Sequence, residues 1–224
     1  MTISKLKLAA LLTITASSFM YAPVFASDDA LRYEITITNL TRGISFTPIL
    51  VAAHRSGPVL FTVGQPASDE LLTVAESGNT APLANSLNAS GKVADLKTTT
   101  GLLAPGQSVT VEIEGGKKVK HVSIASMLLP TNDAFFALNA VRLPGSSKAR
   151  SYYSPAYDAG SETNDELCIN IPGPHCGGIA LSPDDSGEGF VHIHAGIHGI
   201  GSLDAATYDW RNPVAKISIR RLKD

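Results

Sequence analysis

The run Arg32-Tyr33-Glu34-Ile35-Thr36-Ile37-Thr38-Asn39 alternates an apolar set, Tyr33, Ile35 and Ile37, with a polar set, Glu34, Thr36 and Thr38. A period of two sends successive side chains to opposite faces, so this run reads as a half-buried strand. Residues 108–114 repeat the pattern with Val109, Val111 and Ile113 inward, and 122–127 and 215–220 repeat it again. Residues 49–53, 59–63 and 190–194 read as further strands. Ser68 is placed to cap a helix over 69–75, with Gly78 beyond its end. Nineteen glycines, thirteen prolines and only 17% charged residues favour many turns over long solvated helices. Together these features predict an antiparallel β-sandwich with one or two short helices in its loops.

The first residues carry Lys5 and Lys7, then an uncharged apolar run from Leu8 to Met20, then Val24 and Ala26 at the small-residue positions of a cleavage site. This pattern predicts a signal peptide over 1–26 and one domain over 27–224, exported to the periplasm or the cell exterior. No later stretch is long and apolar enough to predict a membrane span. Without Lys5 and Lys7, 16 basic side chains face 20 acidic ones, a net charge of −4. Arg220-Arg221 with Lys223 forms a short basic run, and the overall acidic balance argues against a nucleic-acid partner. Cys168 and Cys176 are eight positions apart, and in an exported chain they read as a disulfide closing a small loop. A sulfur-ligated metal is the alternative, with only His175 nearby to assist.

Two segments bring carboxylates to the ends of apolar runs: Pro130-Thr131-Asn132-Asp133-Ala134-Phe135-Phe136, and Ser154-Pro155-Ala156-Tyr157-Asp158-Ala159-Gly160-Ser161-Glu162. Acidic groups gathered at one sheet rim repel unless water or a hard cation compensates them. Asp133 and Asp158 therefore read either as turn residues bonding their own backbone or as ligands of a divalent cation.

Asn39-Leu40-Thr41-Arg42-Gly43, the 130–136 block and Tyr157-Asp158-Ala159-Gly160 together resemble the spondin N-terminal domain of F-spondin, mindin and small exported bacterial proteins. Gly64-Gln65-Pro66-Ala67 and residues 208–214 extend that resemblance over nearly the whole mature chain. It implies a C2-like antiparallel sandwich with Ca²⁺ at one rim, serving adhesion or matrix binding rather than catalysis. By the same resemblance the cation ligands are Asp133, Asp158 and Glu162, with Glu162 replacing an aspartate on a longer stem. Glu114 falls where some members place an upstream glutamate, and Glu112, on the same strand face, competes for that role.

His192-Ile193-His194-Ala195-Gly196-Ile197-His198 offers a second reading. On a strand His192 and His194 share a face, and His198 returning to it would complete a three-imidazole Zn²⁺ site with Glu188 as a base. That arrangement would make the chain a secreted metal-dependent hydrolase; the bland alternative is structural histidines in a glycine-rich loop. His54 and His121 read as lone structural residues. The sequence contains no His-Glu-x-x-His, Gly-x-Ser-x-Gly, phosphate-cradling or EF-hand pattern, and Asp184-Asp185 reads as a solvated turn. The leading expectation is thus a non-catalytic Ca²⁺-binding module. Its partner would be an envelope or extracellular protein, glycan or lipid surface.

Overall fold

The computed structural model describes residues 30–183 and 186–223. The expected signal peptide and the Asp184-Asp185 turn lie outside these residues. Among the described residues two antiparallel sheets form. The smaller is built from β1 (Ala30–Asn39), β5 (Ser108–Gly116), β8 (Arg150–Ser154) and β11 (Ala215–Arg221), in the order β5-β1-β11-β8. The larger runs β10 (His192–Ile193), β9 (Ala156–Asp158), β7 (Ala134–Arg142), β6 (His121–Leu129), β3 (Leu50–His54), β4 (Val93–Thr98). The two-residue β2 (Ser45–Phe46) is added against β6.

The alternation in β1 is realised as expected. Tyr33, Ile35 and Ile37 are buried, while Thr36 and Thr38 pair their hydroxyls with Thr110 and Ser108 on the outer face, at 3.0 and 2.8 Å. Ile35, Ile37, Ile217 and Ile219 from the smaller sheet meet Phe46, Val51, Ile124 and Phe136 from the larger in one apolar layer. The far face of the larger sheet is not solvated. It carries α1 (Asp69–Ser77) and α2 (Ala81–Ala89), which cover a second layer containing Leu50, Leu71, Val74 and Phe135. Central strands covered on both faces lose polar alternation, which is why 122–129 is buried throughout.

Ser68 caps α1 as the sequence predicts: its hydroxyl accepts from the Leu71 N–H at 3.4 Å, and Gly78 closes the helix in the left-handed region. The two further short helices, α3 (Gly173–Cys176) and α4 (Ala205–Tyr208), together with α2, exceed the one or two expected. The predicted strand at 59–63 is instead a loop. The Asn139 side chain accepts from Leu60 N–H and donates to the Phe61 carbonyl, capturing the backbone groups a ladder would need. At 190–194 only His192–Ile193 pairs as a strand. His54 and His121 are not lone: they face each other across β3 and β6 with ring centroids 6.0 Å apart.

Cys168 and Cys176 are joined as a disulfide, so neither is a thiolate metal ligand. No helix among the described residues is long and apolar enough to cross a membrane.

Candidate metal centre

The turn between β6 and β7 presents Asp133 at the edge of the larger sheet. β9 pairs beside it, with Ala134 opposite Asp158, and the Ala159 N–H donates to the Asp133 carbonyl at 3.2 Å. Asp133 and Asp158 are thus neighbours across one ladder, and both are fully buried. Gly160 makes the following turn possible, since its φ is +72°. A Cβ there would lie 2.4 Å from the Phe190 carbonyl oxygen, so only glycine lets 187–190 close over the strand end. The chain then brings Glu162 back to the same place.

The hydrogen bonding of these acids is lopsided. Asp133 Oδ2 accepts from the Ser161 N–H at 2.8 Å, the Ser161 hydroxyl at 3.1 Å and the Glu162 N–H at 3.2 Å. Its Oδ1 is buried with no protein partner. Glu162 Oε1 accepts from the Ser182 N–H at 3.0 Å; its buried Oε2 has no well-formed hydrogen bond, although the Asn132 amide and the Glu76 carboxyl approach the side chain. A carboxylate serving structure alone looks different here. Glu166 uses both oxygens to gather the His198, Gly199 and Ile200 N–H groups at 2.6–3.0 Å. Buried acceptors left without donors cost free energy unless something else fills them.

Sequence reasoning missed a fourth acid. Glu76, in the last turn of α1, is only 7% exposed and lies beside Ser161 and Glu162. An acid near a helix C-terminus meets the unfavourable end of the dipole, and that is the one signal the sequence offered. Burial, then the Asp158 charge, pushes the Asp133 carboxyl up to about 6. Burial, then Glu76 and Asp133 against the Ser182 N–H, pushes Glu162 up to about 8. Glu76 and Asp158 are raised as well, both chiefly by burial.

The sign of the pH dependence follows. Acids whose folded-state pKa exceeds the ordinary value stabilise the fold while protonated, and that contribution disappears as pH rises through the folded pKa. In EDTA, the melting temperature should fall from about pH 5 to about pH 8.5 as Asp133 and then Glu162 ionise. A flat or rising curve in differential scanning calorimetry would contradict this.

Asp158 is flanked differently. Its Oδ1 accepts from the Gly160 N–H at 2.8 Å and its Oδ2 from Asn164 Nδ2 at 2.7 Å. Asn164 in turn accepts from His194 Nε2 at 3.0 Å, because His194 Nδ1 already accepts the Gly196 N–H. Burial holds the His194 ring down to about 4, so it is neutral. His192 Nε2 lies 3.6 Å from Asp158 Oδ1 and 3.3 Å from Glu188 Oε2. Burial opposes a charge on His192, but the Ile193 carbonyl, Asp158 and Glu188 outweigh it and push its pKa up.

His192 and His194 therefore do approach one carboxylate together. His198 does not join them: its side chain is exposed, and the three imidazoles are not among the metal-competent clusters of the described residues. Gly196, with φ +99°, turns the chain so that the His198 backbone binds Glu166. Glu114 and Glu112 are also not brought to the site. Both are exposed on β5, where Arg32 stands opposite Glu114 and Glu34 opposite Glu112. The Glu114 N–H donates to Asp95, which pairs with Ala53 and through it lies beside Val122 and Val141, at the end of β6 and β7 remote from Asp133, so Glu114 lies toward the other end of the sandwich.

Asp133, Asp158, Glu162 and Glu76 gather carboxylates that a hard divalent cation could draw together, filling the two orphaned oxygens and offsetting the repulsion, although their ligand atoms do not meet within the 4.8 Å that unites Asp158, Glu188 and His192. No curated protein matches the chain. The Spondin_N family model matches residues 38–163, more than half of the sequence, from the end of β1 to just past Glu162. That span is shorter than the resemblance read from the sequence, which ran on to 208–214. It includes all four acids and stops before Asn164, Glu188 and the histidines. A disulfide suits the oxidising exterior, and the chain belongs to the spondin N-terminal (Spondin_N) family of extracellular modules.

Proposed function

We propose that the protein is a non-catalytic, Ca²⁺-binding extracellular module whose cation is held by Asp133, Asp158 and Glu162, with Glu76 completing the acidic shell. The observation that carries this reading is the pair of buried, partnerless oxygens, Asp133 Oδ1 and Glu162 Oε2, in one cluster of acids. An all-oxygen donor set of this kind suits Ca²⁺ with its six to eight ligands, backbone carbonyls and water supplying the remainder. A bound dication would remove the cost of ionising the acids and tie β7, β9, the 160–162 turn and α1 to one point. The chemistry it supplies is charge neutralisation and cross-linking of the rim. Adhesion to an envelope or extracellular partner is the role that fits such a stiffened rim.

A hydrolase built on the three histidines has less support, because His194 spends both nitrogens on Asn164 and Gly196 and His198 faces solvent. Isothermal titration of EDTA-stripped protein with calcium is the test. One equivalent should bind with proton release, since Glu162 is held near 8 before the ion arrives. Absence of calcium binding at millimolar concentration would overturn the reading.

A further inference from the structure

We propose that Asp158, Glu188 and His192 form a second metal site of mixed nitrogen and oxygen donors, suited to Zn²⁺ or a similar first-row dication. One ligand atom from each of the three lies within 4.8 Å of the others. The separations discriminate between a salt bridge and a metal. A charge-assisted N–H···O bond closes to about 2.7–2.9 Å, yet His192 Nε2 stands 3.3 Å from Glu188 Oε2 and 3.6 Å from Asp158 Oδ1. In a tetrahedral site with bonds of about 2.0–2.2 Å, neighbouring ligand atoms are about 3.3–3.6 Å apart. The two His192 separations match a tetrahedron's edges, and the Asp158 and Glu188 oxygens lie within 4.8 Å of each other.

The ring orientation agrees. His192 Nδ1 lies 3.0 Å from the Ile193 carbonyl, which can only accept, so Nδ1 carries a hydrogen, and a metal arriving at Nε2 would displace the proton that the two carboxylates favour there. That Nε2 is buried and has no hydrogen-bond partner. A backbone carbonyl fixing the remote nitrogen is the usual outer-shell support of a metal-bound imidazole. Asp158 is held on its other oxygen by Asn164, itself anchored by His194. The β9–β10 register places His192 directly opposite Asp158. Glu188 and His192 retain exposed surface, 44% and 27% of their side chains, so the fourth position opens to water and the ion can exchange.

An imidazole among carboxylates favours borderline first-row metals, whereas Ca²⁺ prefers an all-oxygen shell. The site shares Asp158 with the proposed calcium centre but needs neither Asp133 nor Glu162. Glu188 and His192 also lie beyond the stretch matched by the family.

The test uses the full disulfide-intact chain in millimolar calcium, titrated with ZnCl₂ by calorimetry and with Co²⁺ by visible absorption. One equivalent of each metal should bind, and Co²⁺ should develop d–d bands. His192→Gln and Glu188→Gln should each weaken Zn²⁺ binding by about a hundredfold or more, with the calcium-dependent rise in melting temperature retained. Asp133→Asn should keep zinc and lose that rise. His175→Gln, beside the disulfide, should change neither. Zinc binding undiminished in folded His192→Gln, or no stoichiometric zinc in the wild type, would overturn the second site. Loss of the calcium response alone would count only against the calcium reading.

Discussion

Asp133→Asn should abolish the calcium-dependent stabilisation of the protein while leaving it as stable as the wild type, or more so, in EDTA. Calcium at a hundredfold its Kd adds roughly 2.7 kcal/mol to the native state. For a chain of this size each kcal/mol moves the melting temperature by about 2–4 °C, so wild type should gain about 5–10 °C on adding calcium. Asp133 contributes a buried, unpartnered Oδ1 at the centre of the acids, and an amide there removes the charge the ion needs. In EDTA the same charge is a burden, because Asp133 is already pushed up to about 6 by burial and by Asp158. The amide keeps an oxygen for the Ser161 and Glu162 N–H groups and can turn its NH₂ toward the neighbouring acids. Asp158→Asn should also lose the calcium rise, but at a cost in EDTA, since Asp158 accepts from Gly160 and Asn164 and faces His192. Glu114→Gln, exposed on β5, should behave as wild type. A full calcium shift in Asp133→Asn would refute the centre, and a lost shift in Glu114→Gln would restore the ligand that the fold leaves apart.

What the sequence disclosed and what it hid differ by the range of the interaction. The alternation in 32–39 and the Ser68 cap are local, so they were legible and they formed. The loop at 59–63 has strand-like composition, but Asn139, 78 and 79 positions away, takes its backbone groups. Asp133, Asp158 and Glu162 were readable because each stands in or beside a turn motif, and Gly160 supplies the reason the second motif needs its glycine. Glu76 was hidden because its place in the last turn of α1, unlike Asp69 and Glu70 in the first, is only a weak local sign of burial. Only the seating of α1 on β6 and β7 makes it the buried one. The histidine motif misled in part for the same reason. Periodicity puts His192 and His194 on one face, but the Gly196 turn and the Glu166 carboxylate decide where His198 goes.

Phe135→Ala and Phe136→Ala should each cost about 3–5 kcal/mol, a fifth or more of the roughly 5–15 kcal/mol of an ordinary domain, yet only the first should weaken calcium binding. The two rings are adjacent on β7 and both fully buried, but they point into different layers. Phe136 packs on Phe46 at 4.4 Å in the layer between the sheets, remote from α1. Its loss leaves a cavity there, with the Asp133 turn still held by Ser161 and Glu162. Phe135 stacks on Tyr157 at 5.5 Å and meets Phe61 edge-on at 5.3 Å, in the layer that seats Leu71 and Val74 of α1. Tyr157 precedes Asp158, and α1 carries Glu76. Removing Phe135 therefore loosens two of the elements that would bring acids to the proposed cation, whereas removing Phe136 leaves both seated. Both variants should unfold earlier in urea with similar midpoints in EDTA. In millimolar calcium the Phe136→Ala midpoint should recover by the wild-type increment, and the Phe135→Ala midpoint by a clearly smaller one. Equal recovery in the two would show that the cation centre does not depend on the layer beneath α1.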